Sequence, residues 1–180
     1  MFKRVKITKD NANNPGLKEL YEKAFPEGEV APYDKFIELL DILGMDYIAY
    51  YDGDTLIGMT VAILMKNYNY GANMAVVENL RGKGYGQKIL SDALERYKSK
   101  PFLMEVESPK QLDEPNLEIR KRRYAFYLRN GIVDTGRYFT LNGVEYNIIT
   151  TSKEPVAQED IDAAFDYLKP LSERVPKTKQ

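Results

Sequence analysis

Apolar positions in this chain switch between a spacing of two and a spacing of three to four, and the switches divide it into elements. Val5 and Ile7 alternate with charged residues, as in a short strand. Residues 11–16 are turn-rich, with Pro15 placed to open a helix, and Leu17, Leu20, Tyr21 and Ala24 then recur at helical spacing until Pro26. Phe36, Ile37, Leu40 and Leu43 repeat that spacing over residues 33–43, which end at Gly44. Residues 47–51 and 55–65 read as the arms of a hairpin, because Asp52-Gly53-Asp54 supplies the positive φ that tight hairpin turns require.

The second half continues in the same way. Residues 73–77 form an apolar strand that runs directly into Arg81-Gly82-Lys83-Gly84-Tyr85-Gly86, after which Ile89, Leu90, Ala93, Leu94 and Tyr97 fall at helical intervals. A strand over 101–106, a polar loop over 108–115 and a basic helix over 117–130 follow, the helix closed by Gly131 at a C′ position. Strands over 132–140 and 144–150 flank Asn142-Gly143, a strong hairpin signal. Ile161, Ala164, Phe165 and Leu168 share one face of a last helix over 155–168. With hairpins alternating with few crossover helices, the order predicts one α+β domain over residues 1–172, built on a mixed, mostly antiparallel sheet flanked by helices, with a polar tail over 173–180.

Composition removes much of the chemistry such a domain can host. The 180 residues contain neither Cys nor His. Disulfides, thiolate nucleophiles, Ser-His-Asp and Cys-His machinery and the usual imidazole or thiolate metal sites are therefore excluded. Carboxylates, tyrosines, lysines and backbone amides remain. The 26 basic and 27 acidic residues nearly cancel, so binding nucleic acid by bulk charge is not expected. Lys121, Arg122, Arg123 and Arg129 make one helix basic, but a lone stripe without stacking aromatics reads as solvated surface. Residues 1–10 lack the apolar stretch of a signal peptide, and the longest apolar run, 59–65, is too short to cross a bilayer, so a soluble cytoplasmic protein is expected.

Gly82, Gly84 and Gly86 leave successive amides uncovered where a helix begins. Such amides converge on an anion, and the helix dipole adds about half a positive charge there. Phosphate or pyrophosphate is the natural guest, with Arg81 and Lys83 as mobile cations beside it and Gln87 as an amide in the first turn. The bland alternative is a flexible strand-to-helix turn with no ligand. The Walker pattern is absent, and G-x-G-x-x-G fails because position 87 is Gln.

The segment Arg81-Gly82-Lys83-Gly84-Tyr85-Gly86, following Met74-Ala75-Val76, resembles motif A of the GNAT superfamily of N-acetyltransferases, R/Q-x-x-G-x-G/A. Phe126-Tyr127-Leu128-Arg129-Asn130-Gly131-Ile132 resembles its later F-Y-x-x-x-G-F signature. The resemblance spans roughly residues 47–150 and leaves the C-terminal helix as an addition to a GNAT-like fold. It implies acetyl-CoA as cosubstrate and no metal. In such a site the amides of residues 81–87, Tyr85 and Gln87 among them, hold the pyrophosphate, while the backbone around Val76 and Val77 pairs with the pantetheine and polarises the thioester carbonyl. Dimerisation is common in that family, though nothing in this chain fixes it.

Transfer of an acetyl group to an amine needs a neutral amine, a stabilised carbonyl oxygen and a proton for the leaving thiolate. Tyr127 matches the family's tyrosine acid. Arg120 and Arg123 lie seven and four residues earlier on the same helical stripe, where many members carry Asn and Ala, and cations there would favour tyrosinate or attract CoA phosphates. For the base, Glu105 and Glu107 alternate with Met104 and Val106 and share one sheet face, with Glu78 as a weaker third candidate. The expected function is acetyl-CoA-dependent acetylation of a primary amine, small-molecule or peptide, by direct attack. A non-catalytic acyl-CoA sensor is the alternative.

Overall fold

The computed structural model describes residues 1–25, 30–111, 116–141 and 143–164. Strand β1 (Phe2–Ile7) leads to helices α1 (Pro15–Ala24) and α2 (Tyr33–Ile42), then strands β2 (Met45–Asp52), β3 (Thr55–Leu64) and β4 (Asn69–Val76). Helix α3 (Tyr85–Arg96), strand β5 (Phe102–Glu107), helix α4 (Leu117–Arg129) and strands β6 (Val133–Leu141) and β7 (Val144–Thr150) complete the order. Residues 158–164 are helical. The rest of the expected last helix, with Phe165 and Leu168, and the tail over 173–180 lie outside the described residues.

Local sequence accounts for the boundaries. Asn14 caps α1 by accepting from the amides of Gly16 and Leu17 at 3.1 and 3.3 Å, with Pro15 in the first turn where no amide is needed. Gly44, Gly53, Gly131 and Gly143 have positive φ where elements end or reverse.

The seven strands form one sheet in the order β1-β2-β3-β4-β5-β7-β6, antiparallel throughout except for β4 beside β5. Helices α1 and α2 cover one face, where Leu17, Tyr21, Phe36 and Leu40 pack on Tyr47, Ala49, Met59 and Val61. Alternate residues of the same strands point the other way. There, Ile48 and Tyr50 meet Ile89 of α3, joined by Ile57, which a bulge opposite Tyr50 and Tyr51 turns to this face, and Phe102, Met104 and Val106 meet Leu90, Tyr97 and Ile132. Ile161 and Ala164 cover Leu103 and Ile148 on the α1 side. Burial on both faces explains why β3 reads as an almost unbroken apolar run. No helix among the described residues is long and apolar enough to cross a membrane.

The parallel seam between β4 and β5 is short. Only Asn69↔Phe102 and Tyr70↔Leu103 pair, anchored by the Asn69 amide on the Pro101 carbonyl at 2.8 Å and by the Asn69 side chain on the carbonyls of Tyr97 and Lys100. Beyond that the strands separate. A Cβ on Gly71 would stand 2.7 Å from Met104 Cγ, so the glycine lets the two strands come together before they part.

Candidate active site

The splay between β4 and β5 holds a cavity lined by both strands, by Leu90, Ala93 and Leu94 of α3 and by Tyr127 of α4. Its main-chain chemistry depends on one extra residue in β4. Val61 is opposite Asn73 and Ala62 is opposite Gly71, which leaves Ala72 unpaired as a bulge. The N–H and C=O groups of successive strand residues point to alternate sides. The Asn69 amide points to β5, whereas the Val77 amide points to β3 and donates to the Ile57 carbonyl at 3.0 Å. Positions 69 and 77 have the same parity, so the bulge has reversed the alternation. As a result the main-chain groups of Met74 and Val76 face the open side, where β5 has already diverged. Val77, expected to contribute its backbone, has its amide inside the sheet, and Met74, not Val77, accompanies Val76 on the open side. Nothing in the sequence marks a bulge beyond the glycine at position 71.

At the far end of β4, a single 3₁₀ turn (Glu78–Leu80) leads into the glycine loop. Gly82 and Gly84 have φ of 78° and 81°, and Gly84 is the N-cap of α3 with no side-chain cap. The first helical donor is the Lys88 amide, on the Gly84 carbonyl at 3.2 Å, so the amides of Tyr85, Gly86 and Gln87 have no intrahelical partner. A run of outward-turned N–H groups with the helix dipole behind them is fitted to a phosphate or diphosphate. Phe126 of α4 lies 3.8 Å from where a Cβ of Gly86 would sit, an ordinary contact distance, so α4 packs beside the start of α3 without itself demanding a glycine there. Arg81 and Lys83 are exposed, Arg81 also donating to the Val76 carbonyl at 3.3 Å. The side chains of the same turn are engaged elsewhere: Tyr85 donates to Asp52 at 3.1 Å, and Gln87 reaches Asn130 at 2.6 Å, joining α3 to the end of α4.

Glu105 and Glu107 end in different surroundings despite sharing a parity. Glu105 lines the cavity with Tyr127, its Oε2 is buried without a hydrogen-bond partner, and burial pushes its carboxyl up to about 8. Glu107 is held at both oxygens: Oε1 by Arg120 at 3.0 Å and Oε2 by Arg123 at 2.6 Å. Its charge is met by those two cations and it is not among the residues that line the cavity, which corrects the expectation that both carboxylates serve one cleft. Glu78 lies in the 3₁₀ turn, outside the residues that line the cavity.

Burial raises the Tyr127 phenol. Of the two arginines expected to favour tyrosinate, Arg123 does lower it, but burial outweighs that lowering, and the nearby Glu105 charge raises it further. Tyr127 thus keeps its proton, as a donor must. The two arginines are engaged by Glu107, with Arg120 only 2% exposed. Among the described residues no three acidic side chains gather as a metal site would require.

The family model for the GNAT acetyltransferase domain matches residues 45–131, from β2 through the end of α4. No curated protein sequence matches the chain significantly. Among solved structures, a GNAT-family protein from Bacteroides thetaiotaomicron is 22% identical, with a TM-score of 0.72 over 96% of this chain and 98% of that one. An aminoglycoside 6′-N-acetyltransferase complexed with coenzyme A is 16% identical, with a TM-score of 0.64 over 87% and 99%. A GNAT acetyltransferase from Elizabethkingia anophelis with acetyl-CoA bound is 16% identical, with a TM-score of 0.57 over 84% and 97%. These likenesses agree with the seven-stranded fold, and the matched domain contains the glycine loop, both strands of the splay and the tyrosine signature. Residues 45–131 therefore make up a GNAT acetyltransferase domain.

Proposed function

We propose that this protein acetylates a primary amine with acetyl-CoA by direct attack on the thioester, with Glu105 as base and Tyr127 as acid. The observation that carries the reading is the Glu105 carboxyl, buried with one oxygen unpartnered, sharing a cavity with Tyr127 on the same side of the sheet as α3. Coenzyme-bound relatives of the same fold support the choice of cosubstrate.

Acetyl-CoA supplies the activated acyl group and a thiolate leaving group. The amides of residues 82–87 bind its diphosphate, assisted by Arg81 and Lys83. Val76 and Met74 offer main-chain partners to the pantetheine arm, and the Met74 amide is placed to donate to the thioester carbonyl oxygen. A preorganised donor of that kind is worth about 3–4 kcal/mol of barrier. Glu105 accepts the proton that the ammonium must lose before attack. A carboxyl tuned to about 8 by burial is closer to an amine in basicity than an exposed glutamate, which makes the transfer less uphill. Tyr127 donates its proton to the departing sulfur and recovers one from the nitrogen, which sheds its second proton as the amide forms.

Thiol release from acetyl-CoA, measured against aminoglycosides, polyamines, amino acids and peptides with free amines, tests this reading. Turnover with at least one class is expected, together with loss of most of it in Tyr127→Phe. Tight CoA binding without turnover on any amine would replace the enzyme with a sensor.

A further inference from the structure

We propose that Glu107, Arg120 and Arg123 form an anchor that fixes α4 on β5 and thereby positions Tyr127, two helical turns further on, against Glu105. This rests on the acid role proposed for Tyr127. Arg120 is among the largest fully buried side chains of the protein. A guanidinium in that place is costly unless its charge and N–H groups are met. Here Nη2 lies 3.0 Å from Glu107 Oε1 and Nη1 donates to Gln111 Oε1 at 3.1 Å. Asn116, just ahead of the helix, donates to the same Glu107 oxygen at 3.4 Å, and Arg123 takes the other.

The contacts continue beyond the helix. Gln111 Oε1 also accepts from the Glu145 amide at 3.0 Å, while its Nε2 donates to the Gly143 carbonyl at 2.8 Å, so the start of β7 is tied in. At its other end α4 is held by Gln87 on Asn130 at 2.6 Å and by Phe126 against Gly86. Tyr127 therefore sits on a helix pinned to β5 at one end and to the glycine loop at the other. Arg120, Arg123 and Tyr127 fall on one stripe, and the anchor lies about 10 Å along the axis from the phenol. The apolar contacts of α4 come from Tyr124, Phe126 and Tyr127 in its second half, whereas in its first half Ile119 is exposed and Arg120 is the buried residue, so there the ion pairs hold the register.

The test uses protein labelled with 3-fluorotyrosine, the Tyr127 ¹⁹F signal being assigned by its loss in Tyr127→Phe. In the wild-type chain that signal is expected to shift on adding coenzyme A. In Arg120→Met it is expected to move or broaden in the free protein and to lose at least half of its response to coenzyme A, with CoA affinity changed less than threefold. Because a lone Glu107 charge can unfold the variant, the double substitution Glu107→Gln, Arg120→Met is measured alongside, with the same expectation. A Tyr127 signal and response unchanged in a folded variant, even one of lower melting temperature, would overturn the anchor and leave Glu107 and Arg120 a purely structural role. A wild-type Tyr127 signal indifferent to coenzyme A would overturn the acid assignment instead, so the two failures are distinguishable.

Discussion

A carboxyl group with one oxygen sealed from water and unbonded holds its proton to a higher pH than an exposed one. Glu105 is in that position, and its ionisation is expected to appear both in catalysis and in folding. In kcat/KM it should give a limb that rises with pH through about 8, and Glu105→Gln should lose that limb together with a factor of roughly 10²–10⁴ in rate. In stability the sign is reversed. The folded protein holds this proton more tightly than the unfolded chain, so its contribution is complete below the ordinary value of 4.5 and is lost as pH rises through about 8. Glu105→Gln should therefore gain melting temperature over the wild type at pH 9 but not at pH 5; an equal difference at both would remove the burial argument. Alternation along the strand made Glu105 and Glu107 equivalent candidates in the sequence. Only the tertiary partners of Glu107, from a helix ten residues and more downstream, separate them.

Elements whose signal is local were legible. The strand, glycine loop and helix around residues 73–97 and the hairpin around Gly143 follow from periodicity and turn chemistry, and the structure has both. The start of β4 was not, because Asn69 and Gly71 are poor strand formers, whereas the strand there is held by the Asn69 contacts at the seam. The bulge at Ala72 was invisible too, and with it the placing of Met74, not Val77, beside Val76 on the open side. Gly84 gives the loop a direct test. With φ of 81° and no atom within 4 Å of an added Cβ, Gly84→Ala incurs a conformational cost and no clash. Denaturant unfolding should show a loss of about 1–2 kcal/mol, and calorimetry a weaker affinity for coenzyme A. An unchanged affinity would show that the cradle does not depend on that left-handed residue.

On the scale of the whole molecule, the sheet is two antiparallel blocks, β1–β4 and β5–β7, joined by two paired positions and by the helices that bridge them. The α+β class and the mostly antiparallel pairing follow from the order of hairpins and crossovers; the length of the seam does not, since it is set by packing between residues far apart in sequence. A ligand that pairs with β4 and lies against β5 binds the folded state alone. At a hundredfold excess over its Kd, coenzyme A should add about 2.7 kcal/mol, a rise of roughly 5 to 10 °C in melting temperature for a chain of this size. Inorganic phosphate, which reaches only the loop, should add far less.

The unpaired Ala72 also acts as a phase shift: every backbone group downstream of it is read one step out of frame with those upstream. Deleting that single residue would put the strand back in step. Its two ends could then no longer serve β5 and β3 at once, and the donors now offered to a guest would be zipped into the ladder. The expected product is a better-hydrogen-bonded sheet that has forfeited its chemistry, recognisable as a folded protein whose melting temperature no longer responds to coenzyme A.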